Sequence, residues 1–261
     1  MKIRIAVCIS GQLRKWKIAA RNQKWFWSTA NYSDVQVDYF GHTWTYSGDR
    51  EGVSQPYINR DVSEEEFLEF ANAFHFKELL LDDRRTPFFY NNDHWSSLFY
   101  SFVKSIMLKR KYEIENNFTY DVVVKSRPDV IFNPNLHFRW PDLHNNCVYS
   151  THGGPMSMEF NKYNFNDCVF LGNSYSMDLL ANLYAYRQAG INKKVNPNKN
   201  IHPLGPGTLM MDYFSEYGIT PFFNLKFTET LIKEGCPEDL DLFKYKDFSI
   251  MDKYFREWYN K

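Results

Sequence analysis

An α/β fold, with a mainly parallel sheet and helices on both faces, is predicted by three observations. Apolar runs of strand length alternate with segments of helix length at the spacing of βαβ units. The run Val122–Val123–Val124 has no polar alternation, as a strand covered on both faces requires. Each main run then closes in a short polar or glycine-containing stretch: "SGQLR", "GHTW" and "KSRPD".

The elements follow in chain order. "IRIAVCIS" (Ile3 to Ser10) is the first strand, closed by Gly11, and a helix follows through "LRKWKIAARNQKWFWSTA". "VQVDYFGHTW" is a second strand from Val35, and "SGDREGVSQPYINRD" reads as a loop rich in Gly, Ser, Asp and Pro. "SEEEFLEFANAF" is a helix with Ser63 as N-cap and Glu66 in the capping-box position. "FKELLLDD" is a short strand. A long helix from about Ser96 to Asn116 carries Phe99, Phe102, Val103, Ile106 and Met107 as an apolar stripe and leads into "YDVVVKSRPD".

After Asp129 the pattern changes. "HNNCVYSTHG" and "NDCVFLGNS" read as strands, "SMDLLANLYAYRQAG" and "GPGTLMMDYFSEYG" as helices. No internal repeat or low-complexity linker divides the chain, so residues 1–261 are expected to form one domain. A helical tail, 226–261, would pack on that domain. In the tail, "KDFSIMDKYFREWYNK" puts Phe248, Met251, Phe255 and Trp258 on one helical face beside Lys253 and Arg256. That face either packs on the core or docks peripherally on a membrane surface.

Bulk properties exclude several function classes. The 31 basic and 31 acidic residues balance, so no global field favours nucleic acid. The four cysteines are scattered without CxxC or zinc-type spacing, which implies a reduced, cytoplasmic protein. "MKIRIAVCISGQLRKW" is too short and interrupted for a signal peptide or membrane span, so the chain is expected to be soluble or peripheral to a membrane. Aromatic residues reach 18%, which fits either a sugar-stacking cleft or the codon bias of an AT-rich genome.

In open parallel sheets ligands bind beyond the carboxyl ends of the strands. There this chain offers Ser10, Gly11, Gln12 and Arg14, then His42 and Trp44, then Lys125, Arg127 and Asp129. Small residues, hydrogen bonders, three cations and one carboxylate suit an anionic ligand bridged to Mg²⁺ or Mn²⁺, whose shells use few carboxylates and finish with phosphate oxygens and water. A structural Arg127–Asp129 ion pair and an ordinary turn at "SGQLR" are the plainer alternatives, since GxGxxG and P-loop spacings are missing.

The order of "IAVCISGQLR", "YSFVK", "YDVVVKSRPDVIF" and "DCVFLGNSYSMDLL" resembles a loosely defined group of viral and bacterial GT-A-fold glycosyltransferases of surface-polysaccharide synthesis, over roughly residues 1 to 225. The resemblance implies a GT-A-like (Rossmann-like) sheet and a nucleotide-diphosphate sugar as donor, with a glycan or lipid-linked acceptor. In GT-A enzymes a DxD motif after a central strand holds a metal on the diphosphate. Here Arg127 stands at the first aspartate position and Asp129 at the second, so metal binding falls to Asp129 alone or Arg127 replaces part of its charge.

The same resemblance suggests the remaining roles. Asp167 matches the segment lining donor sugar and acceptor and is the candidate base, with Glu159 as alternative. His202 stands where a late histidine completes the metal shell. His42 and Trp44 would wall the nucleotide base, and Lys104 would reach the diphosphate. The rival reading is a non-catalytic carbohydrate- or nucleotide-sugar-binding protein with a degenerate GT-A fold. A nucleotide hydrolase fits less well, because neither a phosphate loop nor paired catalytic carboxylates are present.

Overall fold

The computed structural model describes residues 2–29, 34–49, 58–83, 94–132, 143–150, 165–194, 206–223 and 229–231. Its centre is a seven-stranded sheet. In chain order the strands are β1 (Ile3–Ser10), β2 (Val35–Trp44), β5 (Glu78–Asp82), β6 (Val122–Ser126), β8 (Cys147–Ser150), β9 (Phe170–Gly172) and β10 (Thr220–Phe222). In space they run β10-β8-β9-β6-β1-β2-β5. Neighbours pair in parallel except at β9, which is antiparallel to both β6 and β8. The expected class, an α/β fold with a mainly parallel sheet and helices on both faces, is therefore the one the chain adopts.

Alternation along β1 explains the two covering layers. Ile5, Val7 and Ile9 point into one apolar core, which Trp16, Phe26 and Trp27 of α1 (Trp16–Thr29) share with Phe70 and Phe74 of α2 (Glu64–Phe74). Ala6 and Cys8 point into the other, with Phe99, Phe102 and Ile106 of α3 (His94–Asn116). Leu180, Leu183, Met210 and Tyr213 complete that second core from the helices α4 (Ser174–Leu179), α5 (Leu183–Lys194) and α6 (Pro206–Tyr217) and the 3-10 turn after α4. A strand with helices on both sides has no water-facing face, hence its unbroken apolar run.

Three expectations needed revision. The loop at 47–61 contains a hairpin of β3 (Tyr46–Asp49) and β4 (Ile58–Asp61), whose polar residues hide it from pattern reading. The helix expected over 176–190 is broken by the 3-10 turn Leu180–Asn182 into α4 and α5. The tail expected to be helical from 226 contributes a strand, β11 (Glu229–Leu231), antiparallel to β7 (Val130–Phe132). The proposed amphipathic segment at 246–261 lies outside the described residues. No described helix is long and apolar enough to cross a membrane.

Candidate functional site

The ends of β1, β2 and β6 meet, as the strand-end argument expects. Ser10 is in register with His42, and Ile9 with Ser126. The Gly11 N–H donates to the His42 carbonyl at 3.2 Å. Gly11 has φ of 135°, open to glycine at little cost, and a side chain there would stand 3.5 Å from Pro128 Cδ. The Arg14 guanidinium donates to the Gln12 side chain.

The turn after β6 is held from below by α1. Gln23, fully buried, donates its amide to the carbonyls of Arg127 (2.7 Å) and Val130 (2.8 Å) and accepts from Ser126 Oγ. Asn22 brackets Phe132, donating to its carbonyl and accepting from its N–H at 2.8 and 2.7 Å. Two buried amides thus fix the backbone that presents Arg127 and Asp129. Sequence reasoning passed over this pair. Its signal was legible as "NQ" inside the apolar stripe of α1, because a buried polar group needs a partner.

Arg127 and Asp129 form a two-pronged pair, Nε to Oδ1 at 2.9 Å and Nη2 to Oδ2 at 2.7 Å. Asp129 is buried, whereas the Arg127 side chain keeps 22% of its surface exposed. Burial works against the charged guanidinium, but Asp129, with Cys168 and Asp167 behind it, more than offsets that cost and raises its affinity for its proton above the ordinary arginine range. Arg127 Nη1 also approaches Cys168 Sγ at 3.9 Å. That contact brings in the turn before β9, where Asp167 sits one residue earlier, its Oδ1 4.0 Å from the same sulfur. Burial pushes the Cys168 thiol up to about 12, which keeps it protonated.

Lys125 departs from expectation. It was read as ligand-facing charge, yet it is 1% exposed and donates to the backbone carbonyls of Asp167 and Cys168, the latter at 3.0 Å. Burial pulls its amine down to about 8.

His42 and Trp44 form a second corner and are likewise buried, at 1% and 2% exposure. His42 lies 2.8 Å from Ser101 Oγ through Nδ1 and 3.2 Å from Asp82 Oδ2 through Nε2, and Tyr100 donates to that same oxygen at 2.8 Å. Trp44 stacks on Tyr100 at 5.5 Å and meets the His42 ring edge-on at 4.8 Å. These rings pack on one another instead of standing as the open walls the sequence suggested. Burial lowers His42 to about 4, so the imidazole is neutral. Lys104 belongs to this corner, its ammonium 5.1 Å from the Tyr100 ring centre. Asp82, its side chain 28% exposed, is the carboxylate that sequence reasoning missed here, although "LLLDD" ends a strand.

Among the described residues no three His, Cys, Asp or Glu side chains converge to hold a metal ion. Asp129 has both oxygens engaged by Arg127, and Glu159 and His202 lie outside the described residues. The described donor set does not by itself make a metal centre. Of the two β6-end cations, Lys125 is buried and Arg127 keeps part of its side chain exposed.

No protein-family model matches the chain, and no curated protein matches it in sequence. Among solved structures it is similar to a glycosyltransferase involved in the glycosylation of the major capsid of PBCV-1. That similarity has 12% identity and a TM-score of 0.36, covering 85% of this chain and 81% of the other. Such a likeness assigns neither residues nor substrate.

Proposed function

We propose that the protein is a glycosyltransferase that moves a sugar from a nucleotide-diphosphate donor to a glycan or lipid-linked acceptor. The observation that carries this reading is the meeting, at one sheet end, of Gly11, the Arg127–Asp129 pair and the turn that bears Asp167. Breaking a glycosidic bond to a diphosphate builds an oxocarbenium-like centre and negative charge on the leaving group. Arg127 supplies the opposing charge. Its fork with Asp129 uses two of an arginine's five N–H donors and fixes the plane of the rest. A preoriented donor stabilises developing charge without reorganising during the reaction. Gly11, lacking a side chain, lets a phosphate approach the backbone of the β1 turn.

Asp167 takes the proton of the acceptor hydroxyl in this reading. If a Mn²⁺ or Mg²⁺ ion takes part, Asp129 would be the described residue to hold it, and the ion would supply further positive charge against the leaving diphosphate. The test is a thermal-shift screen of nucleotide sugars with and without Mn²⁺, since a ligand of the folded state raises Tm by mass action. It is followed by Asp167→Asn. The variant should keep donor affinity and lose roughly 10² to 10⁴ in turnover, measured as nucleotide release. Unchanged turnover removes Asp167 from the reaction. The closed Arg127–Asp129 pair favours a second reading, a sugar-nucleotide-binding protein without catalysis. A wild-type protein that binds donor yet never releases nucleotide, acceptor glycans present, would establish it.

A further inference from the structure

We propose that Lys125 is a positioning residue, a buried strap that ties the end of β6 to the turn before β9 and so sets where the Asp167 carboxylate stands relative to Arg127. The inference rests on the transferase reading for its kinetic consequence but not for its geometry.

The strap is built from few contacts. The ammonium donates to two consecutive carbonyls, those of Asp167 and Cys168, across more than 40 residues of chain. Among the described residues it forms no ion pair, although Asp167, Asp129, Arg127 and the Cys168 thiol all act on it electrostatically. The ammonium also lies over the Phe170 ring, 5.8 Å from its centre. A charge buried for solubility or for a surface ion pair would not sit this way. Burying an ammonium against peptide dipoles is costly and is repaid here in geometry: holding the Asp167 carbonyl inward fixes the peptide plane that directly follows the Asp167 side chain, and holding the Cys168 carbonyl fixes the next one. The turn has one further internal lock, the Cys168 N–H on Asn166 Oδ1 at 2.8 Å. Among the described residues no side-chain hydrogen bond or ion pair holds the Asp167 carboxylate itself beyond the 4.0 Å thiol contact. The backbone, hence Lys125, places it.

Lys125→Met tests the strap, since it keeps the stem and removes every donor. The expected result is a kcat lower by roughly tenfold to a hundredfold with donor KM nearly unchanged, as for a group displaced by about 1 Å. In an Asp167→Asn background the same change should have no further effect on kcat, because both act on one proton transfer. An equal fall in both backgrounds, or a raised KM at constant kcat, overturns the proposal. Hydrogen exchange supplies the readout independent of activity: amides of 166–171 should exchange at least about tenfold faster in Lys125→Met, with β1 unaffected. Unchanged exchange there overturns the strap. Faster local exchange in a protein that transfers no sugar leaves the strap standing and sinks the transferase reading instead. If Lys125→Met does not fold, Lys125→Gln, with two N–H donors on a shorter stem, should fold and show the same localised exchange.

Discussion

Two lysines are buried almost completely, and their surroundings differ. Lys109, on α3, meets Glu113 (2.8 Å), Asp178 (2.7 Å) and Ser174 (2.7 Å), and Glu113 in turn accepts from the Tyr120 N–H where the chain enters β6. Lys125, at the other end of β6, meets only peptide carbonyls. Both are 1% exposed or less. The first cluster compensates charge with charge and locks α4 to α3. The second leaves a cation held by dipoles, beside groups with chemical potential. One end of the strand is closed by charge against charge, and the other by an ammonium that ties down the backbone before β9.

The contrast can be broken most forcefully at Lys109. Lys109→Met strands the buried Glu113 and the half-buried Asp178 and should cost about 3 kcal/mol, read from the urea midpoint at constant m. A cost below about 1 kcal/mol would mean water reaches the cluster and the contrast is false.

A pH series sharpens the comparison next. The Lys125 amine titrates near 8 in the fold and near its ordinary 10.5 when unfolded. Between those values the unfolded chain binds more protons, so stability climbs with pH. Relative to Lys125→Met, the wild type should gain up to roughly 3 kcal/mol from pH 8 to pH 10.5. A flat difference would show the ammonium to be solvated. The smallest effect is expected at Gln23→Met, which removes the side-chain donor from the carbonyls of Arg127 and Val130 and leaves the Arg127 carbonyl only the longer bond from the Val130 N–H. It should cost about 1 to 3 kcal/mol and weaken donor binding through the displaced Arg127, measured by thermal shift.

Legibility in the sequence follows the same divide. β1 and β2 have the bounds the pattern predicts, because strands buried on both faces write their length as apolar runs. The meeting of "SGQLR", "GHTW" and "KSRPD" followed from parallel pairing alone. The direction of the side chains did not. His42 and Trp44 read as ligand walls because nothing local shows that Tyr100 and Ser101 of α3 close over them. Lys125 read as ligand charge because its acceptors lie over 40 residues further on. The β3–β4 hairpin escaped because polar strands lack an alternation to detect.

The reversed strand β9 carries a last consequence. It meets β6 over three rungs only, Val123 with Gly172, Val124 with Leu171 and Lys125 with Phe170. Asp167 hangs from the near end of that short ladder, and Gly172 closes the far end. A methyl group at Gly172 would come within 3.0 Å of the Cys147 carbonyl and 3.3 Å of Met177. Gly172 is therefore a spacer of zero thickness: its missing side chain lets β9 close against the Cys147 backbone of β8 and Met177 of α4, and any bulk there would wedge those layers apart. A residue with no chemistry of its own thus sets how tightly the strand that leads from Asp167 is seated in the sheet.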